Sequence, residues 1–209
     1  MTPTFFITGI STEVGKTVAS AIITEALEAD YWKPIQAGEL DNSDTNKVQQ
    51  LVSNTKTTFH KGAFELVTPM SPHAAASIDG VTISAKKIKR PKTKNNLVIE
   101  GAGGLLVPLN SKETIADLIQ PTDKVIVVSR HYLGSINHTL LTIEALKQRN
   151  LTIFGIIFSG AEHTTTETII AEMSQVPILG RIDEEPYFDA NVVKEYAEIF
   201  KTTLLKKDK

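Results

Sequence analysis

The residues best suited to chemistry lie in "TGISTEVGKT", residues 8–17. Gly15-Lys16-Thr17, after a buried apolar run and at the start of a helical pattern, has the ending of a phosphate-binding loop, G-x-x-x-x-G-K-[ST]. Successive backbone N–H groups and a helix N-terminus favour an anion there. Lys16 would add a point charge at the β- and γ-phosphates, and the Thr17 hydroxyl would ligate Mg²⁺. The spacing is long by one: five residues separate Gly9 from Gly15, and Ile10 stands where the first glycine is expected.

Further groups with chemical potential follow other apolar runs. "LVIEGAGG", residues 97–104, puts Glu100 at a strand end before three glycines. A carboxylate there can bind Mg²⁺, and the glycines let the backbone approach a ligand. "DNSDTNKVQQL", residues 41–51, offers Asp41 and Asp44, with helix capping as the competing explanation. Lys33 precedes Pro34, and by itself a lone lysine is a surface residue. "LGSINHT", residues 133–139, is a second strand-to-helix junction, readable as an anion site or as a helix capped by Ser135. The five histidines show no H-E-x-x-H spacing, so His73 and His138 read as hydrogen-bonding groups. No G-x-S-x-G elbow supports a catalytic serine.

These residues need a scaffold that brings loop ends together. Short apolar runs at 4–9, 96–104, 124–129, 152–160 and 176–182 suit strands buried on both faces. Residues 31–38, "YWKPIQAG", make a sixth strand, which Pro34 restricts to an edge or an irregular course. Helical patterns cover 16–28, 135–150, 164–174 and 191–205, and Ile136, Leu140 and Ile143 share one face of the second. Alternation of this kind predicts an α/β fold, a mostly parallel sheet with helices on both faces, in one domain over residues 1–209. Ligands in such sheets sit beyond the carboxyl ends of the strands, where the residues above fall.

Composition bounds the functions. The 209 residues are 41% hydrophobic and 22% charged, with net charge −2, so nothing draws the whole chain to nucleic acid or an anionic membrane. "KKIKRPKTK", residues 86–94, carries six basic residues in nine and reads as a solvated helix end and loop. Without cysteine there is no disulfide and no cysteine-ligated metal. No leader or membrane-spanning apolar run is legible, and a soluble cytoplasmic protein is expected.

Four segments in order, "TGISTEVGKT", "KPIQAG" followed by "NSD", "EGAGG" and "LGSINHTLLT", resemble the dethiobiotin synthetase family, from Thr4 to about Arg181. That family has the same long phosphate loop in a P-loop NTPase fold. The resemblance implies an enzyme, a ligase of biotin biosynthesis, that uses ATP and Mg²⁺ to close a cyclic urea from 7,8-diaminopelargonate and carbon dioxide. It implies that Glu13, Val14, Gly15, Lys16, Thr17 and Val18 wrap the phosphates, with Gly101, Ala102 and Gly103 close by. Thr17, Asp44 and Glu100 would hold Mg²⁺, and Lys16 would neutralise charge during phosphoryl transfer. Lys33 would stabilise the carbamate and its phosphorylated form, and Thr12 and Ala37 would contact the substrate. Gly134, Ser135, Ile136 and Asn137 would bind the substrate carboxylate from a neighbouring subunit, which implies a homodimer.

The chain also departs from that family's pattern. Gln36-Ala37 stands where a small hydroxyl residue is common, and Ser159-Gly160 where an asparagine reads the base. Ser159, Ile182, Asp183 and Glu184 would form the base pocket, with relaxed preference among nucleoside triphosphates as the expected consequence. Two rivals are a partitioning or cell-division switch ATPase and an amidoligase-type enzyme. The switch ATPases carry an extra lysine five positions before the main one, where this chain has Ser11.

Overall fold

The computed structural model describes residues 2–206, so Met1 and residues 207–209 of the expected 1–209 domain lie outside the described residues. Seven parallel strands form the main sheet: β1 (Thr4–Gly9), β2 (Asp30–Trp32), β4 (Phe59–His60), β6 (Leu97–Gly104), β7 (Lys124–Arg130), β8 (Ile153–Ser159) and β9 (Ile178–Ile182). Their order is β4-β2-β6-β1-β7-β8-β9. A second, two-stranded parallel sheet pairs β3 (Ile35–Ala37) with β5 (Phe64–Leu66). The central strands are nearly continuous runs of Val, Ile and Phe because helices cover both faces.

On one face α1 (Lys16–Leu27) packs against α2 (Asp44–Leu51) and α6 (Ala190–Lys206). On the other, α4 (Ser135–Gln148) packs against α5 (Thr164–Ser174), and Ile143, Ile156, Phe158, Ile170 and Val176 form a separate buried cluster beneath them. A short helix, α3 (Pro72–Ile78), which the sequence pattern did not reveal, lies against β3 and β5.

Several expectations need correction. Of the two courses Pro34 allowed residues 31–38, the irregular one holds: they form two strands rather than one, and β2 is not at the edge, since β4 pairs outside it. The break falls at Lys33-Pro34 because proline has no N–H to continue the ladder. Glu100 lies in the middle of β6, not at a strand end, and is 1% exposed. The buried face of α4 is Ser135, Thr139, Thr142, Ile143 and Leu146, whereas Ile136 is exposed. Ser135 does not cap that helix: Gly134, at φ 102, is the N-cap, and Ser135 is its first, buried residue. The cap of α2 is Ser43, which accepts from the Asn46 N–H, so neither Asp41 nor Asp44 caps it. The basic run is not wholly solvated, because the Arg90 guanidinium grips buried Asp123 at 2.6 Å and the Leu118 carbonyl at 2.7 Å.

Candidate active site

The strand order reverses around β1 and β6, and the chain places its phosphate loop there. In the β1–β6 register Ile7 lies beside Glu100, two residues before the loop begins at Gly9. On the other flank of β6, β2 aligns Tyr31 with Val98 and Trp32 with Ile99. Lys33 follows β2 directly, and its Nζ reaches Glu100 Oε1 at 3.0 Å. Three neighbouring parallel strands, β2, β6 and β1, thus place an ammonium, a carboxylate and a loop side by side.

Left-handed backbone at Glu13 (φ 55) and Gly15 (φ 91) turns the loop into α1. A Cβ added to Gly15 would come within 2.6 Å of the Ser159 Oγ, so the glycine is needed for conformation and for space. The first turn of α1 has no acidic residue, and its N-cap makes no side-chain hydrogen bond. The N–H groups of the loop and helix start are therefore not claimed by side-chain caps, which suits a polyphosphate.

Four buried or half-buried groups meet below the loop. Lys33 Nζ lies 2.7 Å from Asp44 Oδ2 and 3.0 Å from Glu100 Oε1, and donates to the Gly101 carbonyl at 3.0 Å. Its three donors are all engaged. Thr17 Oγ1 lies 3.2 Å from Asp44 Oδ1 and 3.0 Å from Glu100 Oε1. A hydroxyl has one proton and can satisfy only one of these carboxylates at a time. Three hard oxygens so close together fit a small divalent cation that takes its remaining ligands from phosphate and water. Among the described residues no group of three or more His, Asp and Glu side chains could hold a metal by itself.

Electrostatics follow from burial. Burial would lower the Lys33 pKa, but the Glu100 and Asp44 charges overcome it and hold the ammonium above its ordinary value. Burial would raise the Asp44 carboxyl, yet Lys33 keeps it below the usual range. Among the described residues Lys16 forms no ion pair at contact distance: its Nζ donates to the Ser11 carbonyl at 3.0 Å, and Glu100 and Asp44 act on it only from further off. Burial, followed by repulsion from Lys33, lowers it from 10.5 to about 8.

The cleft over these groups holds about 1460 Å³. It brings together Thr12, Glu13, Gly15, Lys16, Thr17, Val18, Lys33, Ala37, Asp44, Glu100, Ala102, Gly103, Ser159, Ile182, Asp183 and Glu184. Six expected residues do not line it. Val14 is buried under the loop. Gly101 is packed against Phe6, Ile115 and the Ile7 carbonyl, and serves through its own carbonyl on Lys33. Gly134, Ser135, Ile136 and Asn137 start α4 outside the cleft of their own chain. His138 meets the Tyr132 hydroxyl at 2.8 Å and His73 the Ser71 hydroxyl at 3.1 Å, as hydrogen-bonding groups.

Among the further residues in and around the cleft, sequence reasoning missed the roles of three that brace its charged groups. Gln36 Oε1 accepts the Asp44 N–H at 3.2 Å and its Nε2 donates to the Gly38 carbonyl, tying the start of α2 to the end of β3. Lys47, one turn beyond Asp44, enters the cleft paired with Glu39 at 2.7 Å. The Tyr31 hydroxyl bonds Glu100 Oε2 at 2.8 Å. Strand alternation was the available signal for the last, since residues 31 and 33 share a face.

Comparison with known proteins agrees with this geometry. A family described as "AAA domain" matches residues 3–192. The ATP-dependent dethiobiotin synthetase of Christiangramia forsetii is 66% identical over 204 residues, 98% of this chain and 99% of the relative. That of Cytophaga hutchinsonii is 48% identical, covering 92% of this chain and 94% of its own. Among solved structures, the septum site-determining protein MinD of Pyrococcus horikoshii aligns with TM-score 0.64 at 16% identity, over 100% of this chain and 97% of that one, a likeness of fold alone. The family match over most of the chain and the near full-length identity lead to one assignment: the chain belongs to the ATP-dependent dethiobiotin synthetase family.

Proposed function

We propose that this protein is a ligase that uses ATP to convert 7,8-diaminopelargonate and CO₂ into dethiobiotin, with ADP and phosphate as the other products. The observation that carries the reading is the convergence of the loop's Lys16 and Thr17 with Lys33, Asp44 and Glu100 at one end of the sheet. One amine of the substrate adds to CO₂ to form a carbamate. A carbamate oxygen attacks the γ-phosphorus and ADP leaves. The second amine then attacks the carbonyl and closes the ring as phosphate departs.

This chain's residues have distinct tasks in that sequence. The loop from Glu13 to Val18 binds the phosphates, and Ala102 and Gly103 flank them. Lys16 leaves the Ser11 carbonyl for the γ-phosphate oxygens and regains full charge there. Lys33 opposes the charge on the carbamate. To reach it, the ammonium must exchange one of its three acceptors, and Asp44, 24% exposed against 0% for Glu100, is the one free to move. Thr17, Asp44 and Glu100 would hold Mg²⁺, which when bound supplies positive charge at the β/γ-phosphate oxygens. Thr12 and Ala37 face the diamine, and Ser159, Ile182, Asp183 and Glu184 flank the base.

We also infer a homodimer whose partner helix completes the site. Gly134–Asn137 lie outside their own cleft, which the same helix enters only from His138 onward, and beside them Leu133 is 104% exposed, with Tyr132 and Ile136 exposed nearby. Such a patch suits a protein interface better than water. Among the described residues no helix is long and apolar enough to cross a membrane. A cytoplasmic setting without membrane or nucleic-acid partners belongs to the same proposal, on the net charge of −2.

Phosphate release from MgATP with bicarbonate, with and without 7,8-diaminopelargonate, tests the function. Diamine-dependent release and a product mass showing the added carbonyl are expected. Release indifferent to the diamine would instead favour a switch ATPase. Mixing Asn137→Ala with Lys33→Gln protein tests the shared site: activity should exceed that of either variant alone, and no recovery on subunit exchange would reject it.

A further inference from the structure

Tyr31 is 0% exposed and stands on β2 between β4 and β6, where its ring packs beside Phe59 at 6.0 Å between centroids. A phenylalanine would fill that space equally well. A hydroxyl taken into a dry interior costs stability unless it is bonded, so this one calls for an explanation. It donates to Glu100 Oε2 at 2.8 Å, with the Thr45 side chain as a second hydrogen-bonding neighbour of the phenol oxygen.

The two oxygens of Glu100 are used differently. Oε1 faces Thr17 and Lys33, each at 3.0 Å, whereas Oε2 receives Tyr31. In a wholly buried carboxylate, an oxygen without a donor is strongly unfavourable. Without the phenol, Glu100 would be drawn to share both oxygens with the adjacent Lys33 ammonium, turning Oε1 away from Thr17. Asp44 has a comparable brace through its backbone, from Gln36, but its side chain is half-open and can rehydrate. Glu100 has no such alternative.

We propose that the Tyr31 hydroxyl is a positioning group that fixes the Glu100 carboxylate so that Oε1 faces the phosphate loop, and thereby sets the protein's requirement for divalent cation. The inference rests on the reading of Glu100 as an ion- and nucleotide-facing residue. Groups that orient metal-binding carboxylates change cation affinity by about 10–100-fold when removed, and the low end of that range is expected here.

The test compares Tyr31→Phe and Glu100→Gln with the parent, below the melting temperature of each. Two quantities are measured: the MgCl₂ concentration giving half-maximal diamine-dependent turnover, and calorimetric binding of adenylyl imidodiphosphate with and without MgCl₂. Tyr31→Phe should need about tenfold more Mg²⁺ and recover most of its turnover at saturation, and its binding without Mg²⁺ should match the parent. Glu100→Gln should shift the Mg²⁺ dependence at least as far. An unshifted dependence in Tyr31→Phe, with a shift in Glu100→Gln, overturns the positioning role and leaves the reading of Glu100 standing. No shift in Glu100→Gln removes Glu100 from the ion site, and the role of Tyr31 falls with it. If neither activity nor nucleotide binding survives in Tyr31→Phe, circular dichroism decides: a folded, non-binding variant also overturns the proposal, because nucleotide binding without Mg²⁺ should be intact. An unfolded one overturns it in favour of a purely structural tyrosine.

Discussion

Replacing Lys33 by glutamine is expected to damage turnover and stability together, by amounts that the contacts of its ammonium let one estimate. The Nζ bridges Asp44 at 2.7 Å and Glu100 at 3.0 Å. Glutamine offers a neutral amide in place of the cation. Loss of one preorganised donor on developing charge costs roughly 3–4 kcal/mol, or on the order of 10²–10³ in kcat. Removing one partner of a buried ion pair costs roughly 3–5 kcal/mol of stability. Asp44 can rehydrate, its side chain being 24% exposed, so the lower figure applies. At about 2–4 °C per kcal/mol for a chain of this size, the Tm should fall by roughly 6–12 °C. Millimolar MgCl₂ should recover much of that fall and none of the turnover, because a divalent cation can balance the two carboxylates but cannot replace the ammonium on the carbamate. The assays are diamine-dependent phosphate release and thermal unfolding with and without MgCl₂. Turnover within tenfold of the parent would refute the charge role of Lys33. An unchanged Tm would show that the two carboxylates do not depend on it.

The other expectations concern the loop and the base. Lys16, lowered from 10.5 to about 8 by burial and by Lys33, is held partly neutral in the free protein near pH 8. Its folded value is below its unfolded one, so the folded state binds fewer protons between these limits and stability from this group rises with pH across about 8 to 10.5. Phosphate should restore the charge, so binding of an ATP analogue at about pH 9 should take up close to one proton. Calorimetry in buffers of different ionisation enthalpy measures the uptake, and equal uptake by Lys16→Met would exclude Lys16 as its source. Gly15→Ala introduces a side chain at φ 91, within 2.6 Å of the Ser159 Oγ, and should weaken ATP binding roughly tenfold or more. Adding Ser159→Ala should recover only the contact part; full recovery would show that backbone strain is unimportant. With one hydroxyl at Ser159 for base reading, kcat/KM for ATP, CTP and GTP should agree within about tenfold, and strict use of ATP would contradict that view.

Much of the site was legible in one dimension because its pieces are local. Gly15-Lys16-Thr17 follows a run of buried residues, and a strand-loop-helix unit that binds phosphate is specified within about a dozen residues. The α/β class followed likewise from period alone, since strands covered on both faces must be apolar at every position. The β1 limits, Thr4–Gly9, were read correctly because the run is bounded by a loop glycine. The face of α4 was misread for the opposite reason. Ile136 is apolar but exposed, and Ser135 and Thr139 are buried, so burial there follows what lies opposite rather than residue type.

Other features depended on contacts distant in sequence. Whether Lys33 is a surface lysine or a buried cation depends on β2 lying beside β6, 67 residues away along the chain at Glu100. Whether Asp44 caps a helix or faces a cation depends on Ser43 taking the cap first. Tyr31 gained a role only because parallel pairing set its hydroxyl against an oxygen of Glu100 that no other described residue satisfies. The sequence by itself determined the fold class, the phosphate loop and the identity of the charged groups, because local pattern and short-range sterics are written in neighbouring residues. Tertiary structure decided which charges face one another and how deeply they are buried. Pair energies and proton affinities depend on distance and dielectric, and both are set only when the strands come together.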